Sequence, residues 1–159
     1  MESRRKQFGV FVDGLGMSQL TAEMAYSINN KIDELDYDFC LFFDRVEQIY
    51  NPINAPKFLS SSIPKFSGDL ITTSLQTTRF AIKNKFWQGS SIWYYVYNLE
   101  WTYKDLHLGE VERLLKESKL ICRCKDHAEH IIEKFGIKPL MIANIADITG
   151  IINGIRGLK

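Results

Sequence analysis

At 159 residues the chain is the size of one domain, long enough for a real core and short for two. Its 45% apolar and 25% charged residues are those of an ordinary globular protein, and a net charge of +1 excludes a global pull toward nucleic acid or anionic membrane. No apolar run approaches the ~20 residues that span a bilayer, and three cysteines make a poor disulfide framework, so a soluble protein in a reducing, cytoplasmic compartment is expected.

In chain order, Arg4-Arg5-Lys6 makes residues 1–6 a frayed basic tail, whose charge and short apolar sequel do not read as a signal peptide. Phe8 to Val12 is a short buried-type strand, and Asp13-Gly14-Leu15-Gly16 reads as a tight turn behind it. Leu20, Met24, Ile28, Ile32 and Leu35 recur at helical spacing, with Ser18 as N-cap. Phe39 to Phe43 is the next strand, stopping at Asp44-Arg45, and residues 46–67, with three prolines and a Ser60–Ser62 run, read as a long loop. Leu70 to Ser74 is a strand leading into a helix through Phe80, Ala81 and Ile82. Ser91 to Tyr97, apolar or aromatic almost throughout, is a strand buried on both faces.

Farther on, Glu110 to Ser118 is helical and Leu120 to Cys124 is a strand. Ala128, Ile131, Ile132 and Phe135 form an amphipathic stripe that Gly136 ends, Pro139 to Ala143 is the last strand, and residues 148–159 are a C-terminal tail. Strands alternating with amphipathic helices imply βαβ units: one Rossmann-like three-layer α/β/α sandwich with a mostly parallel sheet. Ligands in such sheets sit beyond the carboxyl ends of the strands, where the strand order reverses. That singles out Asp13 to Ser18, Asp44-Arg45, Ser74 and its neighbours, Asn98 to Trp101, Cys124 to His127 and Asn144 to Asp147.

Asp13-Gly14-Leu15-Gly16-Met17-Ser18 has the context for backbone amides to hold an anion or sugar hydroxyls, although any strand-to-helix turn can need glycine there. Gln19 replaces the third glycine of the dinucleotide fingerprint and no Walker lysine follows, which disfavours a nicotinamide, flavin or P-loop site; no cofactor is expected. Glu100 beside Trp101 can have its pKa raised by an apolar ring and act as acid or base, or it can be a solvated strand-end carboxylate while Trp101 caps the core. Trp101 can equally offer a stacking face. The aromatics from Trp87 to Tyr103 lack the interleaved cations of a nucleic-acid groove, so nucleic acid is not the expected partner.

From Lys119, KLICRCKDHAEHIIEKFGIKPLMIANIADITGI resembles the close of the N-terminal domain of GT-B glycosyltransferases. There a strand ends in a small polar residue, a helix and glycine turn follow, and a last strand leads into an Asn-x-x-Asp linker. Asn144 and Asp147 match that linker, Ala143 and Ala146 replace its usual Pro and Val, and Cys124 stands where Ser is frequent. GDLITTSLQTTRFAI and YYVYNLEW look like the middle strands, the latter as in bacteriophage glycosyltransferases.

The resemblance implies hexosyl transfer to a sugar acceptor, with Asp13 or Glu100 as general base. Gly14, Gly16, Ser18, Ser74, Trp101, Cys124, His127 and Asn144 would then line the acceptor side. It also implies that a second Rossmann-like domain holds the nucleotide-sugar. Ile148 to Lys159 is too short to supply it, so a homodimer or a separate donor-binding protein is expected. A non-catalytic interaction module and a nucleotide-binding protein are the alternatives.

The C-x-C-x-x-H-x-x-H spacing of Cys122, Cys124, His127 and His130 suggests a metal site. Sulfurs two apart on a strand stand about 6.5–7 Å apart, too far for one zinc, so no metal is expected. Asp126 is the expected N-cap of the helix there, Cys122 a core residue, and Cys124 a thiol at a helix N-terminus where a thiolate is favoured.

Overall fold

The computed structural model describes residues 6–84 and 89–158; most of the basic tail, and Trp87 of the aromatic segment, fall outside them. Seven strands form one sheet: β1 (Gln7–Leu15), β2 (Asp38–Val46), β3 (Lys57–Leu59), β4 (Asp69–Thr72), β5 (Ile92–Val96), β6 (Lys119–Cys122) and β7 (Met141–Ile142). Their order is β3-β2-β1-β4-β5-β6-β7, and every pairing is parallel. The helices are α1 (Gln19–Lys31), α2 (Leu75–Lys83), α3 (Leu108–Glu117), α4 (Lys125–Phe135) and α5 (Ile148–Gly157). This is a Rossmann-like α/β fold.

Alternation along the strands builds the layers. On β5, Trp93 and Tyr95, with Tyr97 just past its end, join Met24 and Ile28 of α1 and the isoleucines of α5, while Tyr94 and Val96 face Leu75 of α2, Leu114 of α3 and Ile131 of α4. The chain moves to one side after β1 and to the other after β4, and right-handed crossovers then put α1 and α2 on opposite faces. No helix among the described residues is long and apolar enough to cross a membrane.

Several boundaries differ from expectation. β1 does not break at Asp13: it continues through Gly14 and Leu15 because β2 continues beside it, pairing Gly14 with Arg45 and Leu15 with Val46. Neither Gly14 nor Gly16 has a positive φ, so the Asp13–Gly16 segment is not a glycine-driven turn. α1 ends at Lys31, and Ile32 to Glu34 continue as a 3₁₀ turn before Leu35. Residues 46–67 are not one loop, since they contain β3 and a 3₁₀ helix at Ser60–Lys65, held by Leu41 donating to Pro56 O (2.9 Å) and by buried Ile63.

The expected C-terminal tail is instead a helix over Ile148–Gly157. α5 buries Ile148, Ile151, Ile152 and Ile155, and Gly154 lets it approach Met141, since a Cβ there would collide with the methionine sulfur. On α4, Ile132 is exposed, so the buried stripe is narrower than the four apolar positions imply. Cys124, not Asp126, occupies the N-cap position, without a side-chain capping bond; Asp126 lies in the first turn, where its charge suits the helix dipole.

Candidate functional site

The strand order reverses between β1 and β4, so their following loops part and leave a crevice at the carboxyl edge of the sheet. A cavity of about 200 Å³ lies there, and Asp13, Gly14, Gly16, Arg45, Glu47 and Thr73 are among its lining. A larger cavity of about 360 Å³ sits among Phe42, Phe58 and Phe66 near Gln7 and Asp38, where β1 and β2 begin. That is the end of a parallel sheet away from the switch-point crevice, so the smaller, more polar cavity is the better site.

Asp13 closes the buried run of β1. Burial is the main cause that lifts its carboxyl above the usual 3.8; the Ser74 hydroxyl and Lys104 work against it, and the charges of Glu100 and Asp44 add to it. Its Oδ1 is buried and lacks a hydrogen-bond partner among the described residues. A carboxylate with a raised pKa and an unoccupied oxygen, on the wall of a cavity, can accept a proton.

Ser18 and Ser74 are the N-caps of α1 and α2. Each side-chain oxygen accepts the backbone N–H three residues on, from Thr21 and Thr77, both at 3.1 Å. Thr21 Oγ1 donates to Gly16 O at 2.6 Å and also receives Asn51 Nδ2 at 3.1 Å, which fixes the β1–α1 turn. Ser18 lines the cavity and Ser74 stands beside Asp13. The glycines serve close packing: a Cβ on Gly14 would stand 3.0 Å from Arg45 Cγ, and one on Gly16 would collide with the Glu47 carboxylate. Arg45 and Glu47 therefore cover the glycines that were expected to open their backbone to a ligand.

Glu100 is not a free base. It lies in a 3₁₀ turn, Glu100–Thr102, directly after β5, with its side chain only 8% exposed. Oε1 accepts from Leu75 N (2.7 Å) and Tyr94 Oη (3.2 Å), while Oε2 pairs with Lys104 Nζ at 2.6 Å. With both oxygens engaged it anchors the start of α2 to the end of β5, which positions Ser74 beside Asp13.

Trp101 is 6% exposed, stacked on His130 (centroids 6.1 Å) and edge-on to Phe135 (5.5 Å), and its indole donates to His130 Nε2 at 3.1 Å. Its ring belongs to the core and offers no open stacking face. Cys124, His127 and Asn144 lie past the ends of β6 and β7, and none lines the crevice cavity. β6 is three strands from β1, about 14 Å at ~4.8 Å per strand. Cys122 is buried, and burial pushes its thiol up to about 12; Cys124 is half-buried, and His127 keeps a buried, unpartnered Nδ1 among the described residues.

Sequence reasoning missed Glu47, Asn51 and Lys104. Glu47 was hidden because two charges after Phe43 signal a strand end, whereas the backbone ladder to β1 runs on until Glu47 N donates to Leu15 O at 2.9 Å. Lys104 is four residues from Glu100, a pairing that spacing alone could have suggested.

Fold and crevice together define a Rossmann-like α/β protein with a carboxylate-bearing pocket at the topological switch point. The sequence matches no protein-family model and no curated protein.

Proposed function

We propose that the chain is a glycosyltransferase-like acceptor domain, with Asp13 the general base on an acceptor hydroxyl. The observation that carries this reading is the raised, partly unpartnered Asp13 carboxyl on the wall of the switch-point cavity. Asp13 takes the hydroxyl proton as that oxygen attacks the anomeric carbon of a nucleotide-sugar, and the nucleoside diphosphate leaves with the bonding pair. The donor is held by a second domain or chain facing the crevice. The order β6, α4 closed by left-handed Gly136, β7 and then Asn144 to Asp147 supports the GT-B resemblance, as does the docking of that linker. Glu23 Oε2 accepts Ala146 N at 2.8 Å, Ser27 Oγ accepts Ile148 N at 3.0 Å, and Lys31 pairs with Asp147 at 3.0 Å, so one stripe of α1 grips the linker.

The test is amide-resolved NMR titration with methyl glucosides and with nucleotide-sugars. Acceptor saccharides are expected to shift the amides of Gly14, Gly16, Ser18 and Thr73, and Asp13→Asn is expected to abolish transfer once a donor domain is supplied. Crevice shifts with a nucleotide-sugar and none with saccharides would replace this reading with nucleotide binding. A second reading, a non-catalytic interaction module, draws on Met17, Val46 and Ile49, exposed apolar side chains at the ends of β1 and β2. Full transfer by Asp13→Asn would remove the base from the first reading, and no transfer by wild type once a donor domain is supplied would favour the second.

A further inference from the structure

Arg45 and Glu47 flank the end of β2 and line the same cavity as Asp13. Neither makes a side-chain ion pair or hydrogen bond with another described residue, although a ladder bond from Glu47 N to Leu15 O holds the backbone there in place. The Glu47 carboxylate lies across Gly16, in space that any β-carbon would take, and the Arg45 stem lies across Gly14. Two glycines thus seat two charged side chains at the mouth of one pocket, with their polar ends left over for something else. Burial is the chief cause of the raised Asp13 carboxyl, the charges of Glu100 and Asp44 push the same way, and Lys104, the opposing cation, is already paired with Glu100.

From this arrangement we infer that Glu47 is a specificity-determining residue, selecting a neutral or amine-bearing sugar as the acceptor and rejecting an anionic one. This rests on the acceptor reading above. A carboxylate accepts hydrogen bonds from adjacent sugar hydroxyls or from an ammonium group, whereas a phosphate or carboxylate on the ligand would meet Glu47 and Asp13 together, with Arg45 the one cation of the lining among the described residues. Arg45 donates to ring or hydroxyl oxygens of the same sugar. A like charge brought within about 4–5 Å at a solvent-open site costs roughly a factor of ten in affinity.

The experiment is a set of amide NMR titrations with methyl glucoside, glucosamine and glucose 6-phosphate, on wild type and Glu47→Gln. Wild type is expected to bind glucosamine about tenfold more tightly than glucose 6-phosphate, with methyl glucoside between. Glu47→Gln keeps the shape and the hydrogen-bonding oxygen. It is expected to narrow that ratio to about twofold, with methyl glucoside weakened less than glucosamine. An unchanged ratio in Glu47→Gln, with saccharides still shifting the crevice amides, overturns the role of Glu47 and leaves the acceptor reading standing. No saccharide binding to wild type overturns both. Gly16→Ala is the second variant: if it folds, as its spectrum will show, the displaced carboxylate should lower the same ratio.

Discussion

The Glu100 carboxylate receives a backbone N–H, a phenol and an ammonium, so truncating it strands the buried Leu75 N–H and Tyr94 hydroxyl around a hole. Glu100→Ala should therefore cost about 3 kcal/mol of stability. Lys104→Met should cost no more than about 1 kcal/mol, because the lysine is half exposed and its pairing is screened. Urea unfolding of both variants checks the asymmetry; equal losses would show that the ion pair, and not the bonds to Leu75 and Tyr94, holds this corner.

Asp13 behaves in the opposite sense. Burial raises its folded-state pKa above 3.8, so ionisation opposes folding, and the stability linked to its protonated form is lost as pH rises through that raised value. Asp13→Asn should be more stable than wild type at pH 7, with the gain shrinking as pH falls toward 3.8. Unfolding curves across that range measure it, and a variant less stable at neutral pH would contradict the destabilising burial of this charge.

Among the elements, α5 shows how composition can mask a helix. Gly150, Gly154 and Gly157 look like loop residues, yet Ile148, Ile151, Ile152 and Ile155 keep the i, i+3, i+4, i+7 spacing, and each is essentially fully buried. β3 was hidden for the reverse reason: Lys57 to Leu59 are all exposed, so no burial pattern marks them, and only the neighbouring strand gives them a partner. Ser18, by contrast, was legible as an N-cap because capping is a local interaction.

Asp147 caps α5, its Oδ1 accepting Gly150 N (3.1 Å) and Thr149 Oγ1 (2.7 Å). Burial works to raise its pKa, but these bonds and Lys31 outweigh it and hold it below 3.8. Its stabilisation is therefore present above that value and lost as pH falls through the folded pKa. Asp147→Ala should cost about 1–2 kcal/mol at pH 7 and progressively less in acid. Ile152→Ala, emptying a fully buried site, should cost about 3 kcal/mol. Urea unfolding at neutral and acid pH separates the two, since only the first loss depends on pH.

At the scale of the whole molecule, the strand–helix alternation made the Rossmann-like plan legible, and with it the rule that a ligand sits where strand order reverses. The actual lining of the crevice was not legible, because it depends on register. Pairing of Gly14 with Arg45 is what carries Arg45 and Glu47 over the glycines, and no local pattern encodes where a parallel ladder stops. The same sheet order predicts how stability is distributed. β1 and β5 are bonded on both sides and buried on both faces, whereas β7 is two residues bonded to β6 alone, with Ile142 exposed. Amides in β1, such as Val10 and Phe11, should exchange with solvent only through global unfolding. The amides of Leu140 and Ala143, bonded to Leu120 O (2.9 Å) and Cys122 O (2.8 Å), should open by local fraying at least about 100-fold faster. The grip of α1 on the segment from Asn144 to Ile148 opposes such fraying, so Ser27→Ala, which strands Ile148 N, should speed exchange at Ala143 further while leaving β1 protected. Hydrogen exchange read by NMR distinguishes these rates. Equal protection of β7 and β1 would mean that the β7–α5 segment unfolds only with the core and is not a separately opening unit.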